Sequence, residues 1–478
     1  MLAALIACSL LAPPEGPPLD LPMAGEVTAH SAIVQTRTEP GTSGQFKLMP
    51  ADPLADASFG ETLTADEDRD GLVRERFEGL SPNSSYRYQW TPDEGVPGRI
   101  GSFRTLPRPA ATQPVDFVVV TGLNYAKFHG SEAFDRAAQA ALNNTELPPP
   151  APEAERKLGY PMLEAIQKLD PRFAVFTGDT VYYDTPIQGR AETREEMRAK
   201  WHEQFVQPRV RDLLAHVPIF HMKDDHDYRK NDSDNAGDYA PSPELGVDVF
   251  REQVPVVPPD DDETPTYRTV RCNEDLQIWL VEGRDYRSPN DMPDGPEKTL
   301  WGEEQYDWLT RTLKESDATF KVLVSPTPLV GPDDAYKNDN HTNPEGFRHE
   351  RGRFFDFLQA EGMLESGEFL ILCGDRHWQY HATHPSGVQE FSSGAVHRSN
   401  ARGGRVAGDP KSTDPEGKIV QHYLMGRDAE PSGGFLYVRV QREQGVPTLA
   451  LRHLVSVDGG VATKTAYETE HRLKKDRP

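Results

Sequence analysis

The chain has 478 residues, of which 52 are basic and 76 acidic, so its formal net charge is −24 at pH 7. A surface this acidic repels phosphate backbones, which argues against nucleic-acid binding through a basic face. The length is sufficient for two or three domains with a large core, and the 38 glycines and 42 prolines are too few for a low-complexity chain.

The chain begins with an apolar run at residues 2–12, which is too short to span a bilayer and has the length of a signal-peptide core. Its residues 5–8 resemble a bacterial lipobox, so Cys8 is a candidate site for a lipid anchor and for the one membrane contact that we expect. We therefore expect residues 1–20 to be a leader with a proline-rich spacer, and the protein to be exported. The alternative is an apolar start without a targeting role.

Residues 21–107 contain short alternating patterns, for example at residues 31–38 and 86–90, with turn residues between them. Such patterns predict a small β-sandwich. The segment resembles a fibronectin type III domain, in which Tyr86 is a candidate for the tyrosine at the sheet corner. A linker over residues 108–114 then separates this domain from residues 115–478.

From residue 115 onward, continuous apolar strands alternate with helical stretches, and β patterns return after residue 434. Helices are predicted near residues 131–143 and 160–169. Strands are predicted at residues 115–120, 172–177, 217–222, 277–281, 320–324 and 369–373. This alternation predicts an α/β domain in which sheets are covered by helices.

Three of these strands are each followed by a loop that contains aspartate. The loops are Gly178-Asp179-Thr180-Val181-Tyr182, Asp224-Asp225-His226-Asp227 and Gly374-Asp375-Arg376-His377. Each motif alone is also typical of a turn or a helix cap. Because sites in α/β proteins form at the carboxyl ends of strands, we expect the three loops to converge.

The residue types in these loops fit a centre of two or more metal ions. Asp179 has two oxygens that can bridge two cations, Tyr182 can bind one of them as a phenolate, and His377 adds an imidazole. Asp225 and Asp375 give the second cation an oxygen-rich shell, which favours Ca²⁺, Mg²⁺ or Mn²⁺ over zinc. Two bridged cations suit in-line attack at phosphorus by a metal-activated hydroxide, and they offset the acidity of the chain.

His226 and Arg376 are the candidate catalytic residues. His226 is placed to protonate a leaving oxygen or to stabilise charge on phosphorus. Arg376 is expected either to bind a phosphate oxygen or to pair with a carboxylate.

These motifs resemble the motif series of PhoD-like alkaline phosphatases, which are calcineurin-like metallophosphoesterases related to purple acid phosphatases. The resemblance covers most of residues 21–400 and extends to residues 284–287, 302–309 and 316–322. It implies a four-layer α/β/β/α catalytic fold, secretion, and hydrolysis of phosphomonoesters or phosphodiesters. It also implies an iron ion held by Asp179, Tyr182 and His377, and a calcium ion held by Asp179, Asp225 and Asp375.

One position departs from the family pattern. The first strand of the family ends in a cysteine that binds iron, whereas this chain has Thr121-Gly122 there, and Gly122 has no side chain. The alternatives to iron and calcium are therefore manganese, magnesium or zinc, or a centre that lacks one ion. Asn124 offers an amide oxygen and is a candidate for substrate binding. His341 lies where related enzymes have a metal-binding histidine, and its alternative is a surface turn.

The predicted function is that of an exported, metal-dependent hydrolase acting on a small phosphate ester. One alternative is a phosphodiesterase of the same fold, including phospholipase D-like activity on lipid head groups. The other is a binding protein on a degenerate phosphatase fold that has lost its metals.

Overall fold

The computed structural model describes residues 19–473 except 53, 55, 132–145, 147, 187, 260 and 262. The predicted leader with Cys8, and nearly all of the helix predicted near residues 131–143, lie outside the described residues. No helix in the part of the chain that the structure describes is long and apolar enough to cross a membrane.

The strands are β1 (Met23–Gly25), β2 (Ala32–Arg37), β3 (Ser43–Pro50), β4 (Ser58–Phe59), β5 (Leu63–Thr64), β6 (Leu72–Phe77), β7 (Ser85–Pro92), β8 (Ile100–Arg104), β9 (Val115–Val120), β10 (Phe173–Thr177), β11 (Ile219–Met222), β12 (Arg268–Arg271), β13 (Leu276–Leu280), β14 (Phe320–Ser325), β15 (Phe369–Cys373), β16 (Gln379–Thr383), β17 (Gln389–Ser393), β18 (Val420–Leu424), β19 (Gly434–Glu443), β20 (Val446–Ser456) and β21 (Thr463–His471). The helices are α1 (Tyr125–His129), α2 (Glu153–Leu158), α3 (Pro161–Leu169), α4 (Arg194–Phe205), α5 (Pro208–His216), α6 (Pro243–Gln253), α7 (Glu303–Glu315), α8 (Arg348–Ala360) and α9 (Met363–Ser366). Two short 3₁₀ turns lie at Glu67–Arg69 and Arg398–Asn400.

Three sheets organise the described residues. One has nine strands in the order β21-β20-β19-β9-β10-β11-β1-β2-β6, and one has seven in the order β12-β13-β14-β15-β17-β16-β18. The third has the order β4-β3-β7-β8, with β5 paired to β3. Strands β9, β10 and β11 are parallel, as are β13, β14, β15 and β17, so their carboxyl ends point the same way within each sheet.

The two large sheets pack face to face between helices. In β9, Phe117 and Val119 join an apolar cluster that contains residues of both sheets, whereas Val118 and Val120 join the cluster beneath helices α3 to α6. Helices α7 and α8 pack on the other sheet in the same way. Both faces of the central strands are therefore buried, which explains their continuous apolar sequence. The predicted four-layer α/β/β/α fold is confirmed.

The N-terminal segment contributes to two of the sheets. Strands β1, β2 and β6 extend the nine-stranded sheet, and Gly25 of β1 pairs in parallel with Ile219 of β11. A Cβ at Gly25 would lie 2.7 Å from the carbonyl oxygen of Pro255, so this close approach requires glycine. The other strands form the small sheet, where the Tyr86 hydroxyl accepts the Ser81 N–H at 2.9 Å, as expected of a corner tyrosine. The domain limits at residues 107 and 115 stay a prediction.

Asp70 links this segment to the helical layer. Its Oδ2 accepts hydrogen bonds from Arg37 Nη2 at 2.7 Å, His202 Nε2 at 2.7 Å and Gln253 Nε2 at 2.8 Å. Burial raises the pKa of Asp70, but its bond to His202 and the charge of Arg37 outweigh burial and lower the pKa to about 2. Asp70 therefore stabilises the fold while it is ionised.

We expect Asp70→Asn to lower the free energy of unfolding by about 2 kcal/mol at pH 7, as measured by urea denaturation. Asparagine keeps the size and tolerates the left-handed backbone at this residue, where φ is 58°, but it removes the charge. Because the pKa is lowered in the folded state, the difference from wild type should shrink as the pH falls from about 4 to about 2.

Asp212→Asn is the control for Asp70→Asn, because Asp212 forms a half-exposed ion pair with Arg99 at 2.6 Å. Such pairs contribute less than about 1 kcal/mol, so this variant should remain close to wild type. Equal stability of Asp70→Asn and wild type, or a difference that does not depend on pH, would contradict the assigned role.

Candidate metal centre

The structure brings two of the predicted loops together beyond the carboxyl ends of β10 and β11, which are neighbouring parallel strands. Gly178 permits this approach, because its φ is 94° and a Cβ there would lie 2.5 Å from the Cβ and the backbone nitrogen of Asp224. Asp179 follows in a left-handed conformation with φ of 56°, which turns the chain directly after the strand. The third loop arrives from β15 in the other large sheet.

The predicted iron-side residues lie within contact distance of one another, and we call this cluster the first subsite (Asp179, Tyr182 and His377). The Tyr182 hydroxyl donates to Asp179 Oδ2 at 2.6 Å, and His377 Nε2 lies 3.2 Å from the same oxygen. His377 Nε2 is also 3.3 Å from Tyr182 Oη. One carboxylate, one phenol and one imidazole are thus directed to one point, as a cation requires.

A second group shares Asp179. One ligand atom each from Asp179, Asp225 and His226 lie within 4.8 Å of one another, close enough to hold a metal ion. Oδ1 of Asp179 is buried and has no hydrogen-bond partner within the described part of the chain. Buried polar atoms are normally paired, so this oxygen is available to a cation. The donor set of the two groups therefore fits metal binding, with Asp179 common to both.

His226 is oriented by Asp184, a residue that the sequence analysis did not select. Asp184 Oδ1 lies 2.7 Å from His226 Nδ1, and the ring centroids of Tyr182 and His226 are 4.2 Å apart. With Nδ1 bonded to a carboxylate, Nε2 is the atom of His226 that remains for chemistry. Asp184 could have been selected from the sequence by its position, because it follows Tyr182 by two residues in the same loop.

The shifted pKa values of Asp179 and His226 indicate that this region favours positive charge. Burial raises the pKa of Asp179 well above its usual range, and the carboxylates of Asp225 and Asp227 raise it further against the opposing effect of His226. Burial lowers the pKa of His226, but Asp184, Asp225 and Asp179 outweigh burial and raise it well above its usual range. The buried carboxylate of Asp179 therefore favours either a proton or a nearby cation, and a bound metal ion would supply that positive charge.

Arg376 pairs with two aspartates, Asp375 and Asp333. The guanidinium of Arg376 forms an ion pair with Asp375 and another with Asp333 at 2.5 Å, and its side chain is 1% exposed. Of the two expectations for Arg376, carboxylate pairing is the one observed in this structure. Phosphate binding by Arg376 and metal binding by Asp375 stay predictions.

Asn124 and His341 have other partners. The side chain of Asn124 caps helix α1 by accepting the N–H of Lys127 at 2.9 Å, so its amide oxygen is engaged. His341 is fully buried rather than in a surface turn, and its Nε2 lies 2.8 Å from Glu350 Oε2. Its ring packs against Trp301 with centroids 4.7 Å apart. Substrate binding by Asn124 and metal binding by His341 stay predictions.

Gly122 borders the first subsite. A Cβ at this position would lie 3.2 Å from His377 Cδ2 and 3.2 Å from Asn400 Nδ2, and the φ of Gly122 is 74°. A side chain here would face His377 but would be both crowded and strained. Gly122 therefore marks the expected place of the missing ligand and supplies none. Asn400 was not found by the sequence analysis, since it belongs to no motif.

The chain is similar to known phosphatases. The PhoD-like phosphatase family model matches residues 152–427. A structure of PhoD superposes with a TM-score of 0.73 at 16% identity, over 96% of this chain and 91% of that chain. The purple acid phosphatase PPD1 from yellow lupin (Lupinus luteus) seeds gives 0.58 at 14% identity, over 95% and 75%. No curated protein matches.

The two superpositions establish a shared fold, and the family model covers more than half of the chain, including all three aspartate-bearing loops. The resemblance of the motifs is thereby confirmed. The chain belongs to the PhoD-like phosphatase family and is a phosphoester hydrolase by that membership.

Proposed function

We propose that this chain is an exported, metal-dependent hydrolase of phosphate esters. The observation that carries the proposal is the carboxylate of Asp179, which belongs both to the group with Tyr182 and His377 and to the group with Asp225 and His226. Its buried Oδ1 has no hydrogen-bond partner among the described residues. Burying these acids without a compensating cation is costly, so their arrangement favours an enzyme over a binding protein that has lost its metals.

Asp179, Tyr182 and His377 would hold one cation, and Asp179, Asp225 and Asp375 the other. Bound there, two cations would lower the pKa of a water ligand towards about 7 and neutralise the charge of the phosphate ester. The oxygen-rich ligands favour Ca²⁺, Mg²⁺ or Mn²⁺, and the glycine at position 122 weakens the case for iron.

His226 would act on the leaving group. The Asp184 carboxylate accepts a hydrogen bond from Nδ1–H and fixes the ring, so a protonated His226 carries its second proton at Nε2. From there the proton can pass to the leaving oxygen as the ester bond breaks. The carboxylate of Asp184, which is not a proposed metal ligand, would stabilise the protonated ring.

Export rests on the apolar run at residues 2–12, and the candidate anchor on Cys8. The proposed substrate is a small phosphate ester whose charge is offset by the cations rather than by a basic surface.

Comparing two chromogenic substrates tests the function and its main alternative. The metal-loaded protein is expected to release more product from an aryl phosphate than from a bis-aryl phosphate at equal concentration. A preference for the bis-aryl phosphate would assign the chain as a phosphodiesterase. Turnover of neither substrate, with metal bound, would contradict the proposal.

A further inference from the structure

Two buried side chains beside the first subsite belong to none of the predicted motifs. Asn400 ends the 3₁₀ turn Arg398–Asn400 and has no exposed surface, and Lys127 lies in helix α1 and is 7% exposed. Lys127 Nζ donates to Asn400 Oδ1 at 2.6 Å. A buried lysine is uncommon, and here it is held next to an amide that borders the candidate metal ligands.

The partners of Asn400 allow its amide only one orientation. Oδ1 accepts from Lys127, and Nδ2 donates to the carbonyl oxygen of Gly122 at 3.1 Å. An ammonium can only donate and a carbonyl can only accept, so a flipped amide would lose both bonds and face like partners. The amide group therefore presents nitrogen, not oxygen, towards the first subsite.

The Asn400 amide has two N–H groups, and one of them remains after the other has donated to the Gly122 carbonyl. Nδ2 lies 3.4 Å from Tyr182 Oη and 3.4 Å from His377 Nε2, longer than the roughly 2.7–3.2 Å of a well-formed N–H bond. Neither neighbour satisfies this donor well. Because an N–H repels cations and attracts anions, Asn400 is unsuited to be a metal ligand and suited to bind an oxygen of a bound anion.

We propose that Asn400 is a catalytic residue that donates its remaining N–H to a phosphoryl oxygen of the substrate, and that Lys127 is the positioning residue that fixes its amide. The inference rests on the proposed function, because it assigns the donor to a phosphate ester bound beside the first subsite. A fixed donor aimed at developing charge needs no reorganisation during the reaction.

Asn400→Ala should lower kcat by about 10²–10³, the loss typical of removing one preorganised donor. Its metal content per chain, measured by elemental analysis, should equal that of wild type. The affinity of the metal-loaded protein for inorganic phosphate, measured by calorimetry, should also fall. Asn400→Asp keeps an oxygen for Lys127 but has no N–H, so it should lose activity to a similar extent.

Lys127→Met tests the positioning role, because without the ammonium only the bond to the Gly122 carbonyl still fixes the orientation of the amide. We expect a loss of kcat smaller than that of Asn400→Ala. The double variant should be no slower than Asn400→Ala alone, since Lys127 acts through Asn400. A double variant slower by the product of the two single losses would show that Lys127 acts directly and would overturn its assignment.

Two controls match the burial of these residues at the opposite, amino-terminal ends of strands. Asn273 is 1% exposed and accepts the N–H groups of Asp275 and Leu276 ahead of β13. Lys321 is 3% exposed and pairs with Glu368 at 2.7 Å at the start of β14. Asn273→Ala and Lys321→Met should keep wild-type metal content and kcat. Equal losses in these controls would reduce the Asn400 effect to general destabilisation and overturn the proposal.

The remaining outcomes separate this proposal from the proposed function. Loss of metal in Asn400→Ala would make Asn400 part of the metal shell, and a kcat within about threefold of wild type would leave it without a catalytic role. Either result overturns the inference while the function stands. If the wild-type protein hydrolyses no phosphate ester, the function fails, and phosphate binding then decides the inference. Equal phosphate affinity of wild type and Asn400→Ala, or no affinity in either, overturns it.

Discussion

Asp179→Asn should abolish both metal retention and hydrolysis. Asparagine has the same shape and tolerates the left-handed backbone at residue 179, where φ is 56°, so the loop can keep its conformation. What changes is that one carboxylate common to both groups of ligands becomes a neutral amide with one oxygen. We expect elemental analysis to find little metal in the variant. The rate of aryl phosphate hydrolysis should fall to the rate measured in buffer without protein.

Asp275→Asn is the matched control for Asp179→Asn. Asp275 is also 1% exposed, but it lies ahead of β13 and forms an ion pair with Arg442 at 2.8 Å. This variant should lose some stability and keep its metal and its turnover. If Asp179→Asn retained the wild-type metal content, the assignment of Asp179 as a bridging ligand would be wrong.

His226→Ala should keep its metal and lose about 10²–10⁴ of the rate, the range typical of general acid–base groups. The structure places His226 close enough to Asp179 and Asp225 to be a ligand, so metal content is the measurement that separates the two roles. Loss of metal would reassign His226 as a ligand. Full activity would refute its role as an acid or charge stabiliser.

Asp184→Asn provides a graded companion to His226→Ala. Asparagine retains an oxygen for His226 Nδ1 but removes the charge that fixes the ring and favours its protonation. The loss of rate should therefore be smaller than that of His226→Ala, with metal content unchanged. A larger loss than that of His226→Ala would show that Asp184 acts independently of the ring.

Local sequence predicted the parts of the fold that depend on local patterns. The apolar run at residues 115–120 forms β9 with both faces buried, and the aspartates that follow β10 and β11 meet because these strands are parallel neighbours. Pairing of β1 with β11 joins residues almost two hundred positions apart. No periodicity encodes such a partner, since it depends on tertiary packing.

Dependence on tertiary packing also explains why some site residues were predicted from the sequence and others were missed. Asp179, Tyr182 and His377 lie in recognisable loops, whereas Asn400 contacts Lys127 across 273 positions in the chain. The alternative that placed His341 in a surface turn was wrong, because its polar neighbours in sequence gave no sign of a fully buried ring that packs on Trp301. Burial of polar groups cannot be recognised until the partners that satisfy them are known.

Metal content measured together with hydrolysis tests the central claim most directly. We predict that the purified protein contains bound metal, and that chelation removes aryl phosphate hydrolysis, which returns when one of Fe, Ca, Mn, Mg or Zn is added back. A protein without bound metal that hydrolyses no phosphate ester after addition of any of these ions would contradict the claim.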